Sequence, residues 1–216
     1  MRSPLRWPLL IASVVLAFAL SACAVPGPPA NPVAASATSA GPAANGPTAA
    51  NAPGKSFAKA EQVVDPARQY TATFKTDKGE FVFALFADKS PRTVNSFVFL
   101  AQNGFYDGLT FHRLEPGFVI QGGDPLANGS GTPGYSVEED KNDGTNVRGA
   151  VSMAKAAGST AVGSQFFINL GNNPGLDADS GAQKRFYPFA SVISGMEVVD
   201  ALRKGDVIRS VTIGVK

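Results

Sequence analysis

The sequence predicts a mostly-β domain, a closed β-barrel capped by two helices, behind an N-terminal stretch that does not belong to the fold. Many short segments alternate apolar and polar residues between turn signals, only two segments carry helical signals, and the composition changes near residue 60. A chain of 216 residues with 44% hydrophobic and 17% charged residues, 23 Gly and 16 Pro has room for one ordinary domain plus non-core sequence.

Arg2 and Arg6 precede an apolar run from Leu9 to Leu20 that is too short to span a bilayer comfortably, so residues 1–22 are expected to be a signal peptide. Leu20-Ser21-Ala22-Cys23 then resembles a bacterial lipoprotein processing box, with Cys23, the one Cys of the chain, as the lipidation site. An ordinary cleavage site beside a chance Cys is the alternative. Residues 23–60 are rich in Ala, Pro and Gly and poor in large apolar side chains, so they cannot offset the entropy of ordering and are expected to form a tether. Residues 61–216 make the domain.

Within it, Gln69–Lys75 and Glu80–Phe86 flank Asp77-Lys78-Gly79 as a hairpin. Ser90-Pro91 starts a helix with a capping hydroxyl and Pro at its first position, Val94, Phe97, Val98 and Ala101 form its buried stripe, and Gly104 ends it. Short strands are expected at Thr110–Leu114, Phe118–Gln121, Ala150–Ala154, Gln165–Asn169 and Phe189–Ile193. A second helix runs over Met196–Lys204 to Gly205, and Val207–Val215 is the last strand.

Composition excludes several chemistries. One Cys cannot close an internal disulfide, and one His, His112, cannot supply a histidine cluster for zinc, so no metal and no other cofactor is expected. All charges before Glu61 are basic (Arg2, Arg6, Lys55, Lys59), which leaves 15 basic and 17 acidic residues from Glu61 onward. A net-positive nucleic-acid groove is disfavoured, and Gly122-Gly123 lacks the Gly-Lys-Ser/Thr and the helix of a phosphate loop.

Three stretches carry the chemistry: Phe111-His112-Arg113-Leu114-Glu115-Pro116-Gly117-Phe118-Val119-Ile120-Gln121-Gly122-Gly123-Asp124; Ser152-Met153-Ala154-Lys155 followed by Gly163-Ser164-Gln165-Phe166-Phe167-Ile168-Asn169; and Leu176-Asp177 before Phe189-Ala190-Ser191-Val192. As regular strands, Phe111 and Arg113 share one face, Phe118 and Ile120 another, and His112 points away from Arg113 in a structural role. Taken singly, Arg113 reads as a surface residue in an ion pair, and Phe118, Met153, Phe167 and Leu176 read as core.

Together and in this order, from about Tyr70 to Val215, the stretches resemble the cyclophilin family of peptidyl-prolyl cis-trans isomerases. The resemblance implies an eight-stranded antiparallel barrel with two capping helices. It implies Arg113 as the catalytic residue, Gln121 as its support, Phe118, Met153, Phe167 and Leu176 as walls of a proline pocket, and Ala154 as a contact to the substrate backbone. Phe186 takes the place of a pocket histidine, although the roughly six extra residues after Leu176 also allow Tyr187 there. Gly175 stands where well-studied eukaryotic relatives have a tryptophan lining the inhibitor groove.

The expected function is isomerisation of X-Pro bonds in unfolded or folding exported proteins by a monomer, anchored outside the cytoplasm to a bacterial membrane through Cys23. A proline-peptide binding or holdase module on the same scaffold is the alternative, and the retained Arg113 and Gln121 favour turnover. No nucleic-acid partner is expected.

Overall fold

The computed structural model describes residues 55–156, 158–178 and 185–216. The signal peptide, Cys23, most of the tether and the polar run Asp179-Ser180-Gly181 lie outside the described residues. The elements are β1 (Tyr70–Thr76), β2 (Gly79–Leu85), α1 (Pro91–Gln102), β3 (Arg113–Glu115), β4 (Val119–Gly122), β5 (Val137–Glu138), β6 (Ala150–Met153), β7 (Ala161–Val162), β8 (Phe166–Asn169), a 3-10 turn (Pro174–Leu176), β9 (Pro188–Ser194), α2 (Met196–Ala201) and β10 (Ile208–Val215).

Eight strands form one antiparallel sheet in the order β10-β1-β2-β9-β6-β8-β4-β3, while β5 and β7 pair separately. The sheet is an open, curled half-barrel and not the closed barrel expected. The free edge of β10 meets the chain before β3 through one isolated bridge, Thr110 to Val207, and through backbone bonds such as Gly108 N–H to Ile208 O and Phe111 N–H to Asp206 O. Those bonds stop at Phe111, and the β3 ladder begins only at Arg113, so no residue of β3 opposes β10.

The late start of β3 also corrects the expected side-chain directions. Phe111 is fully buried against Phe81 and Phe166, whereas Arg113 is exposed, so they do not share a face. Phe118 sits on the Pro116-Gly117 turn, its N–H bonded to Glu115 O, and does not share a strand face with the buried Ile120. Alternation cannot be extended through residues that are outside the ladder.

The α1 stripe of Val94, Phe97, Val98 and Ala101 is buried as expected. Its cap differs: Ser90 makes no capping bond from its side chain, and Thr93 N–H is met instead by Asp140 Oδ2 at 2.9 Å. The Ser90 hydroxyl accepts from Asn142 Nδ2 at 2.9 Å. α2 stops at Ala201 rather than Lys204 because Leu202 turns extended and buries its side chain. Described residues before Glu61 join the fold: Phe57 lies edge-on to Phe99 at 5.1 Å, and its N–H donates to Pro133 O at 2.8 Å.

The core is strongly aromatic. Phe166 touches Phe74, Phe83, Phe97, Tyr106 and Phe111 at ring separations of 5.6, 6.0, 6.2, 5.9 and 6.3 Å. This cluster holds the inner face of β4, β6 and β8 and leaves their outer face to build a groove.

Candidate active site

Strand register builds the site. Arg113 on β3 is opposite Gln121 on β4, Gln121 is opposite Phe167 on β8, and Phe167 is opposite Ser152 on β6. Directly opposed residues project to the same side of a sheet, so this row runs along the outer face. The row one residue along, Gly122, Phe166 and Met153, projects into the core.

Arg113 is exposed and held from two sides. Its Nη1 donates to Gln121 Oε1 at 3.3 Å, and its Nε lies 3.4 Å from Glu115 Oε1. Gln121 Nε2 donates to Gln165 Oε1 at 2.9 Å, and Gln165 Nε2 donates to the carbonyls of Gly129 and Gly131, each at 3.0 Å. The guanidinium is thus connected through two amide side chains to a backbone loop. Gln165 was not singled out by sequence reasoning, because its link to the site crosses two strands.

The apolar side of the groove starts at Phe167. The Phe186 ring lies edge-on to it at 5.3 Å and 85°, while Tyr187 is buried. Leu176 closes the 3-10 turn, and its carbonyl accepts from Phe186 N–H at 3.0 Å. Phe118 is 37% exposed at the tip of the β3–β4 turn, where its carbonyl accepts from Leu170 N–H and Asn173 Nδ2. Ala154 follows β6, with its N–H donating to Gln165 O at 2.8 Å.

Met153 is the exception among the expected pocket walls. It lies opposite Phe166, is 1% exposed and belongs to the core. Val119 was missed: it shares the outer face of β4 with Gln121, is buried, and lies outside the core cluster. The period-two alternation from Gln121 is the signal that could have found it.

A buried polar network supports the floor. Asp177 Oδ1 accepts from Asn146 N–H at 2.6 Å and from its Nδ2 at 3.0 Å. Asn146 Oδ1 in turn accepts from Ser152 Oγ at 2.9 Å and Asn169 Nδ2 at 3.3 Å. Such a network is costly unless it is satisfied, and here it ties the 3-10 turn to β6 and β8. His112 is 8% exposed, and burial holds its pKa below the ordinary imidazole value.

The comparisons agree with this geometry. The family described as cyclophilin type peptidyl-prolyl cis-trans isomerase/CLD matches residues 71–215. A peptidyl-prolyl cis-trans isomerase of Synechococcus elongatus is 45% identical over 142 residues, covering 66% of this chain and 94% of its own. One of Helicobacter pylori is 42% identical over 144 residues, covering 65% and 84%. A solved cyclophilin-type isomerase of Cryptosporidium parvum superposes with a TM-score of 0.60 at 28% identity, over 68% of this chain and 98% of that one. An open eight-stranded sheet, an outer-face row of Arg, Gln and Phe, and relatives that match nearly from end to end of their own length lead to one conclusion: this chain belongs to the cyclophilin-type peptidyl-prolyl cis-trans isomerases.

Proposed function

We propose that this isomerase turns over X-Pro bonds in the groove between Arg113 and the Phe118, Val119, Phe167, Leu176 and Phe186 wall, with exported proteins as clients. The observation that carries the reading is the single row of Arg113, Gln121 and Phe167, which places a rigid cation beside an apolar wall. Rotation about X-Pro is slow because amide resonance must be broken, against a barrier of roughly 18–20 kcal/mol. The wall grips the proline ring while the acyl side rotates. As the bond twists, the nitrogen lone pair is released, and the Arg113 guanidinium donates a hydrogen bond to it. That bond exists only in the twisted state, so it raises rate more than affinity.

Gln121 keeps the guanidinium in place through Nη1, and the backbone of Ala154 offers the substrate chain an edge to align on. No nucleophile, metal or proton transfer by a titrating side chain enters the cycle. The isomerase works from a membrane through lipid on Cys23, with the Ala/Pro/Gly-rich stretch that follows it as spacer; the Leu20-Ser21-Ala22-Cys23 box supports this.

The test is a prolyl isomerisation assay beside Arg113→Ala. Loss of a charged donor corresponds to about 1.5–3 kcal/mol, on the order of a ten- to hundredfold fall in kcat with peptide affinity little changed. Equal losses in both would make Arg113 a docking residue. Mass analysis of the mature protein, and of Cys23→Ser, tests the anchor: an unmodified Cys23 overturns it.

A further inference from the structure

Behind the Phe186 rim, Lys155 Nζ and Glu139 Oε2 form an ion pair whose side chains are only 9% and 3% exposed. Burying two charges carries a desolvation penalty of several kcal/mol per ion, which an apolar pair of the same size would not incur. Burial indeed pushes the Glu139 carboxyl above its ordinary range, even though Lys155 pulls it down. Fold stability alone therefore gives no reason for the pair.

Its neighbours suggest another role. The Lys155 ammonium lies 5.3 Å from the Phe186 ring centre and 5.4 Å from that of Tyr187. Glu139 Oε1 accepts from Tyr187 N–H at 3.5 Å, and Asn146 Nδ2 donates to Phe186 O at 3.0 Å. Phe186 is thus in contact with both Phe167 and the Lys155 cation. A cavity of about 210 Å³, lined in part by Glu139, Lys155, Phe186 and Tyr187, adjoins the same ring. That space would let the ring leave Phe167, and the cation–π contact opposes the movement.

We propose that Lys155, held by Glu139, is a positioning residue that keeps Phe186 closed against Phe167 and so sets substrate affinity in the proline pocket. The proposal rests on Phe186 lining that pocket. Lys155 is adjacent in sequence to Ala154, so a shift in the ion pair reaches both the rim and the strand end along which the substrate chain would lie.

The experiment measures kcat, KM and thermal unfolding for wild type, Lys155→Met, Lys155→Arg, Phe186→Ala and the Lys155→Met/Phe186→Ala pair on one X-Pro peptide. Lys155→Met is expected to raise KM about three- to tenfold, the scale of a partly desolvated cation–π contact, with kcat within about twofold. Lys155→Arg, which keeps charge and ring contact, is expected to restore KM. On the Phe186→Ala background the same Lys155→Met change is expected to alter KM by less than about twofold, because the ring it positions is gone.

An unchanged KM in Lys155→Met, or full additivity in the pair, overturns the proposal and leaves the ion pair a structural feature. An unchanged KM in Phe186→Ala overturns the pocket assignment beneath it. If Lys155→Met does not fold, Lys155→Met/Glu139→Met removes both charges together, and its KM is read by the same criterion.

Discussion

Phe166 and Phe167 are consecutive on β8 and belong to different parts of the molecule. Phe166 is fully buried among five aromatic rings of the core, while Phe167 faces the groove with Phe186 edge-on to it. Because strand side chains alternate, one dipeptide anchors the barrel-like core and forms the wall of the site.

That separation predicts opposite phenotypes. Phe166→Ala is expected to destabilise the domain by about 3–5 kcal/mol, the usual cost of emptying an aromatic site in a packed core. Phe167→Leu is expected to cost well under that in chemical denaturation while raising KM for X-Pro peptides. A large stability loss with unchanged KM in Phe167→Leu would show that Phe167 is core rather than site.

The two amides behind Arg113 should differ in degree. Gln121 bonds the guanidinium directly, whereas Gln165 reaches it only through Gln121. Gln121→Leu is expected to lower kcat by roughly three- to tenfold, the net worth of one exposed hydrogen bond that positions the guanidinium. Gln165→Leu should lower it less, and the two should be non-additive, since both act on the same guanidinium. Additive losses in steady-state kinetics would argue against the relay.

His112 makes stability, rather than turnover, sensitive to acid. Burial lowers its folded pKa below the unfolded value of about 6.5. Above that pH both states hold the neutral ring and nothing is lost. As the pH falls below it, the unfolded chain binds the proton first, and stability declines until the folded pKa is passed. Denaturation from pH 7.5 to 5 should show this slope and its loss in His112→Gln. Isomerase activity should meanwhile stay nearly flat from about pH 6 to 8, since the proposed step transfers no proton.

Inhibition by cyclosporin-type ligands should be weak. Gly175 is exposed and supplies no indole wall or donor, and among the described residues beyond its chain neighbours a Cβ built on it meets no atom within 4 Å. Gly175→Trp is expected to tighten inhibition at least about tenfold by adding a hydrogen bond and an aromatic surface. Tight binding to the unchanged protein would show that Phe186 or its neighbours complete the groove instead.

The sequence by itself determined what local physics controls. The β1–β2 hairpin, the buried stripe of α1 and the Phe-Phe step on β8 follow from turn residues and side-chain period, and the quoted motifs single out Arg113 and Gln121, which the β3–β4 register sets opposite each other. Tertiary structure decided whatever depends on register or on partners distant in the chain. Whether the sheet closes rested on where the β3 ladder starts. Met153 belongs to the core and Val119 to the outer face because facing is set by strand pairing, which resemblance alone does not reveal. The α1 cap came from Asp140 rather than Ser90, and the Lys155–Glu139 pair under Phe186 joins residues from separate loops. A side chain's charge and shape are local properties, but its burial and its neighbours are supplied by chain segments whose approach no single stretch of sequence specifies.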